Sequence, residues 1–389
     1  MVSTSAKVPV NFDSIEYCFT NKSPFNENTK SIQNSIKCLI ISMDHYYAYI
    51  TESLKENNGV SVELKEHSYS LYLRELLKRL NIYSVNASEI KEETKTKKMN
   101  GGSYQEVEEI LDILTLNKTF FLQYSKIFNF FSFDDVKDLS ELTILCCGNF
   151  LGINKQFDKM FFELLPTFTE NLLDNLRLIR NESIIYSIGE ILMELCLNEA
   201  YFNRMLTLNF FLHLYQLSSC EKFTLSNEMF HLLYYMLESD KINRLVFRDF
   251  IIREADKIVN EMVNTLTYFI SFEETYMVER DSLVFFKKLI MNPQYLEFRL
   301  RFLNNPYNLK IVLMELNNDC HKIRIEALYL LHEFFVEIEN LEEIVHTLLL
   351  DNKDNFYKMF EINGEVFTSI DSNEKKNFIL CELERIDTR

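Results

Sequence analysis

Glycine and proline are scarce in this chain. There are seven of one and five of the other in 389 residues, together about 3%, where average usage is roughly 12%. Sheet proteins place Gly and Pro at their turns, and phosphate-binding enzymes place Gly where backbone meets ligand. Neither need can be met widely here. A chain that is long, 47% hydrophobic and this poor in backbone punctuation is expected to consist of helices joined by short polar loops.

The apolar pattern agrees. Residues 1–30 carry Pro9 and Pro24 and little periodicity, which predicts a loose arm. From Ser31, the run SIQNSIKCLIISMDHYYAYI has apolar residues at helical steps, and so does SYSLYLRELLKRLNIY from Ser68. The segment near 88–103 is charged, holds two of the glycines and is expected to be a flexible surface loop. Beyond it, four amphipathic runs look equivalent: IYSIGEILMELC, NEMFHLLYYMLES, RDSLVFFKKLIMN and RIEALYLLHEFFV. With Gly189, Met229, Leu283 and Ala327 as corresponding points, the spacings are 40, 54 and 44 residues, and Ile144 lies 45 before Gly189. Periods of about 40 to 47 mark HEAT and armadillo repeats. A single repeat cannot bury its apolar face, so neighbours must stack. The expected fold class is all-α, an armadillo/HEAT-like right-handed superhelical solenoid. It would run as one body over 31–389, closed by a polar-faced helix around Lys375 to Ile386.

Several chemistries are excluded or unsupported. A formal charge of −17 argues against nucleic acid as the main partner, since such binding rests on Lys and Arg neutralising phosphates. No window of 18 uninterrupted apolar residues occurs, and Met1 to Val10 lacks the order of a secretory signal. The eight cysteines are scattered without a C-x-x-C pair, which suits a reduced, cytoplasmic setting. Gly148-Asn-Phe-Leu-Gly152 lies in a helical run and lacks the Lys of a phosphate loop. The stretch Asp351-Asn-Lys-Asp354 lacks the Gly and terminal Glu of a calcium loop. His321 and His332 are expected on exposed helix faces, and Arg244, Arg248 and Arg253 on a solvated basic strip. No catalytic residue, metal site or cofactor is expected.

Between Thr275 and Val336 the sequence becomes specific. TYMVERDSL, NNPYNLKIVLMEL and IRIEALYLLHEFFV resemble the calcium-binding protein 39 family, also called morula protein 25-like. Weaker similarity runs upstream through Ile188 to Glu194 and Lys222 to Phe230, so the resemblance covers about the C-terminal two-thirds. It implies an armadillo-type scaffold whose concave face holds and activates a protein kinase or pseudokinase of the Ste20-related and germinal-centre groups. It also implies a pocket near the C-terminal end for a Trp-Glu-Phe-like tail. Carried over residue by residue, the pocket would comprise Phe223, Tyr276, Arg280, Lys310, Leu313 and Asp351. Leu313 replaces a family Met, and Asp351 replaces a Lys on the following helix, a reversal of charge. On the concave face, Pro293 replaces an Arg and Leu296 a Phe. The chain would act as a monomer within a heteromeric complex.

The residues themselves allow this reading without requiring it. Tyr276 and Arg280 are four apart and share one helix face; Lys310 and Leu313 are three apart on another. An aromatic and an aliphatic group beside two cations suit a short acidic-aromatic peptide. Equally, Arg280 can pair with Glu279 or Asp281, and Tyr276 and Phe223 can be packing residues. A rival function is a general armadillo-type cargo or transport adaptor binding basic signals along an acidic groove.

Overall fold

The computed structural model describes residues 29–55, 101–177, 182–270 and 276–387, with part of the segment 70–80. The arm and the charged segment lie outside these residues, except at their ends: one helix already begins at Thr29 and another at Gly101. Residues 101–103, expected in the loop, are therefore helical. Among the described residues there are helices and no strands. Contacts divide the chain into two compact units, with the boundary between Ser187 and Ile188.

The first unit contains α1 (Thr29–Lys55), α2 (Gly101–Leu116), α3 (Thr119–Lys126), α4 (Phe133–Ile144) and α5 (Lys155–Arg177). Helix α1 packs on α2 and α3, which both pack on α5. Six aromatic residues, Phe120, Phe121, Tyr124, Phe157, Phe161 and Phe168, are fully buried between them. Phe121 meets Phe161 edge to face at 5.2 Å, the arrangement that the ring quadrupole favours. The polar groups buried nearby are satisfied across elements. Asn175 donates to the Ser125 carbonyl at 2.7 Å and accepts from the Asn129 amide at 2.9 Å. Helix α4 runs into a π turn, Leu145–Asn149. Gly148 lies in that turn and Gly152 beyond it at φ 85°, a left-handed conformation for which glycine is suited. The helical continuity expected across Gly148 to Gly152 is therefore absent.

The boundary falls within α6 (Ser183–Leu197). It is followed by α7 (Glu199–Met205), α8 (Leu208–Ser218), α9 (Phe223–Glu238), α10 (Arg244–Arg253), α11 (Ala255–Ile270) and α12 (Tyr276–Met291). Then come α13 (Leu296–Leu303), α14 (Pro306–Leu316), α15 (His321–Val336), α16 (Glu343–Asp351), α17 (Lys353–Ile362) and α18 (Ile370–Asp387). The four runs picked out by periodicity are α6, α9, α12 and α15. In the second unit α12 packs on α9, α15 on α12 and the closing α18 on α15. Polar links along the stack recur at similar sequence intervals. Lys288 pairs with Glu238 across 50 residues, Asn318 with Glu279 across 39, and Arg324 with Asn363 across 39.

Asparagine does much of the punctuation that glycine and proline would do elsewhere. The side chains of Asn198, Asn243 and Asn305 accept amide hydrogens at the starts of α7, α10 and α14. At helix ends Asn317, Asn352 and Asn363 donate back to the carbonyl four residues earlier. These closing residues keep φ between −101° and −92°, so no left-handed glycine is needed.

Two surface expectations meet different outcomes. Arg244, Arg248 and Arg253 each lie beside a carboxylate, of Asp240, Asp249 and Glu254 respectively. His321 is exposed, but His332 is mostly covered: its ring lies 4.8 Å from Phe378, and its Nδ1 is 3.1 Å from Glu333. The helix face that reads as solvated there is covered by α18.

Arg299 of α13 is 7% exposed and reaches Glu333 at 3.1 Å and Glu337 at 2.9 Å. Removing one partner strands buried charge, which costs more than replacing the whole pair with apolar groups. Arg299→Ala is expected to lower stability by about 3–5 kcal/mol. Arg299→Met combined with Glu333→Leu is expected to lose less, both read as shifts in the urea unfolding midpoint.

Candidate functional site

A groove of about 750 Å³ lies where the end of α11, the first turn of α12, the C-terminal half of α14 and the turn into α15 converge. That volume falls within the range of ligand pockets. Tyr276, Lys310 and Leu313 all line it. Helical geometry explains the grouping. Lys310 and Leu313 are one turn apart on α14, and Tyr276 is the first residue of α12. The apolar part of the lining comes from Phe269 and Ile270 on α11, Leu313 and Met314 on α14, and Ile323 on α15. Phe269 and Ile323 are buried, whereas Met314 is 41% exposed.

Other expected members lie elsewhere. Arg280 does not line the groove; its Nη1 is 3.5 Å from Asp281. Phe223 is the first residue of α9 and is 65% exposed, outside the lining. Asp351 is exposed at the end of α16 and likewise outside the lining. A smaller cavity of about 260 Å³ shares Phe269 as a wall and is bordered by Ser219, Cys220, Glu221, Tyr268 and Val278. Pro293 and Leu296 flank the short turn between α12 and α13, both exposed above the buried Tyr295.

The sequence reading missed the acidic side of the groove. Glu279, one turn beyond Tyr276, lines it while being only 5% exposed. Behind it lies Glu315 of α14, 1% exposed. Asn318 donates to Glu279 at 3.0 Å and to Glu315 at 3.3 Å. Burial raises both carboxyls; the adjacent Glu279 charge adds to this at Glu315, which is pushed up to about 9. At neutral pH the pair therefore shares a proton. Asp319 and Cys320 complete this side. Glu on an amphipathic helix ordinarily reads as a solvated face, which is why these two were overlooked. The available signal was Asn318, three residues after Glu315 and positioned at a helix end.

Glu315 titrates near its ordinary value in the unfolded chain and higher in the folded one, so stability falls as pH rises through that interval. A glutamine at this position keeps a donor toward Glu279 and removes the titration. Glu315→Gln is expected to be more stable than the parent by about 1–3 kcal/mol at pH 8 and by less at pH 5, measured by urea unfolding at both.

Among the described residues, no group of three or more His, Cys, Asp or Glu side chains is placed to hold a metal ion. No helix among them is long and apolar enough to cross a membrane. The model of the Mo25-like family matches residues 72–387. That match begins upstream of the C-terminal two-thirds over which the sequence resemblance extends. No curated protein sequence matches the chain.

Proposed function

The chain belongs to the Mo25-like family, and from that premise we propose that it is a non-enzymatic scaffold that binds and allosterically activates a protein kinase or pseudokinase of the Ste20-related group. The groove holds a short partner tail with two aromatic anchors, on the pattern of Trp-Glu-Phe, with the residue between the anchors free to differ in charge. The exposed turn carrying Pro293 and Leu296 contributes to a second, larger contact with the kinase. Activation follows from preferential binding to the active arrangement of the kinase, since only a difference in affinity between two states shifts their equilibrium.

The observation that carries this reading is the convergence of Tyr276, Lys310 and Leu313 on one groove. Two aromatic anchors remove on the order of 150–250 Å² each, which at ~25 cal/mol per Å² gives roughly 8–12 kcal/mol gross. Association and ordering offset much of that, leaving roughly micromolar affinity for the tail alone. The larger contact then adds to it through effective concentration.

Lys310→Ala with Leu313→Ala is expected to weaken binding of a tail peptide by at least tenfold, or ~1.4 kcal/mol, with the unfolding midpoint kept. Leu296→Glu is expected to lower kinase capture and activation while leaving tail affinity unchanged. Both are read by peptide titration and by kinase assay with the full chain. Unchanged tail affinity in the double variant contradicts the groove assignment.

A further inference from the structure

The charges that line the groove are unevenly buried. From α11 it receives only apolar side chains, Phe269 and Ile270. From α12 it receives Glu279, from α14 Lys310, and from the turn into α15 Asp319. Lys310 and Asp319 are exposed, so water and salt screen them. Glu279 is almost wholly covered, and its field is felt in surroundings of lower dielectric. Arg280, the cation next to it in sequence, lies against Asp281. Beneath Glu279 lies a second carboxyl, Glu315, joined to it through Asn318. No cation of the protein is paired with either carboxylate among the ion pairs of the described residues.

We infer that the groove selects a tail in which a lysine or arginine, and not an acidic residue, lies between the two aromatic anchors, paired with Glu279 and Asp319. The inference rests on the groove being a tail site and specifies the charge of its occupant. A basic residue there supplies the counter-charge that the fold withholds from Glu279. An acidic residue brings a like charge beside a buried carboxylate, a repulsive element that rejects it. Asn318 holds Glu279 in place through its amide, so the carboxylate is presented in a fixed position.

The test uses three peptides that share a flexible spacer and end in Trp-Lys-Phe, Trp-Ala-Phe or Trp-Glu-Phe. The chain contains no tryptophan, so peptide Trp fluorescence reports binding to the full-length protein directly. The Lys peptide is expected to bind about tenfold or more tighter than the Glu peptide, with the Ala peptide between them. In Glu279→Gln with Asp319→Asn, the Lys-to-Glu affinity ratio is expected to shrink to about threefold or less. The exposed Asp319→Asn alone, which does not disturb the buried pair, is expected to remove part of the ratio.

Equal or tighter binding of the Glu peptide overturns the inference, as does a preference that survives both substitutions. A Lys-rich peptide without aromatic anchors that binds as tightly as the Lys peptide also overturns it. Saturable binding of the Ala peptide separates these failures from failure of the tail-site reading, in which none of the three peptides binds.

Discussion

The structure depends on each helical repeat finding its apolar partner in the next one along the chain. No helix from α9 to α18 could bury its face alone; α12 is covered by α9 on one side and α15 on the other, and α15 in turn by α18. The burial that stabilises the second unit is thus a sum of nearest-neighbour interfaces. Polar pairs at the same intervals fix the register of the stack. Arg299 with Glu333 and Glu337 is the most buried of these, and Arg324 with Asn363 the tie to the last turns before α18. The groove is a by-product of this stacking. Its walls come from α11, α12, α14 and the start of α15, and its shape follows from how closely these elements approach.

The shortage of glycine and proline was the most informative feature of the sequence, and the helix ends show how the chain folds without them. Asparagine accepts at helix starts and donates at helix ends, which satisfies backbone groups that would otherwise be orphaned. The closing residues remain at negative φ. Where a left-handed residue is required, after the π turn of α4, a glycine is found at Gly152. Periodicity located α6, α9, α12 and α15 because long apolar stripes at helical steps are hard to mistake. It overran at Gly148 to Gly152 because a π turn keeps the apolar spacing while ending the helix.

The site was legible in part. Lys310 and Leu313 could be paired from their spacing within one helix, and Tyr276 joined them through family resemblance. Arg280 was assigned to the same face as Tyr276, yet the groove lies on the Glu279 side of that face; positions three and four residues on differ by about 100° around the axis. The buried carboxylates Glu279 and Glu315 were not legible, because no single-helix pattern distinguishes a solvated Glu from one covered by the next repeat. Phe223 and Asp351 lie at helix ends, where small differences in chain direction decide whether a side chain reaches a cavity or points to water.

Hydrogen–deuterium exchange of the full chain, alone and bound to a Ste20-related kinase complex carrying such a tail, tests the tail-binding role of the groove most directly. Protection is expected at the first turn of α12, along α14 and in the turn around Asp319, with a second protected stretch at Pro293 to Leu296. Complex formation that leaves α12, α14 and that turn exchanging as in the free chain would contradict it.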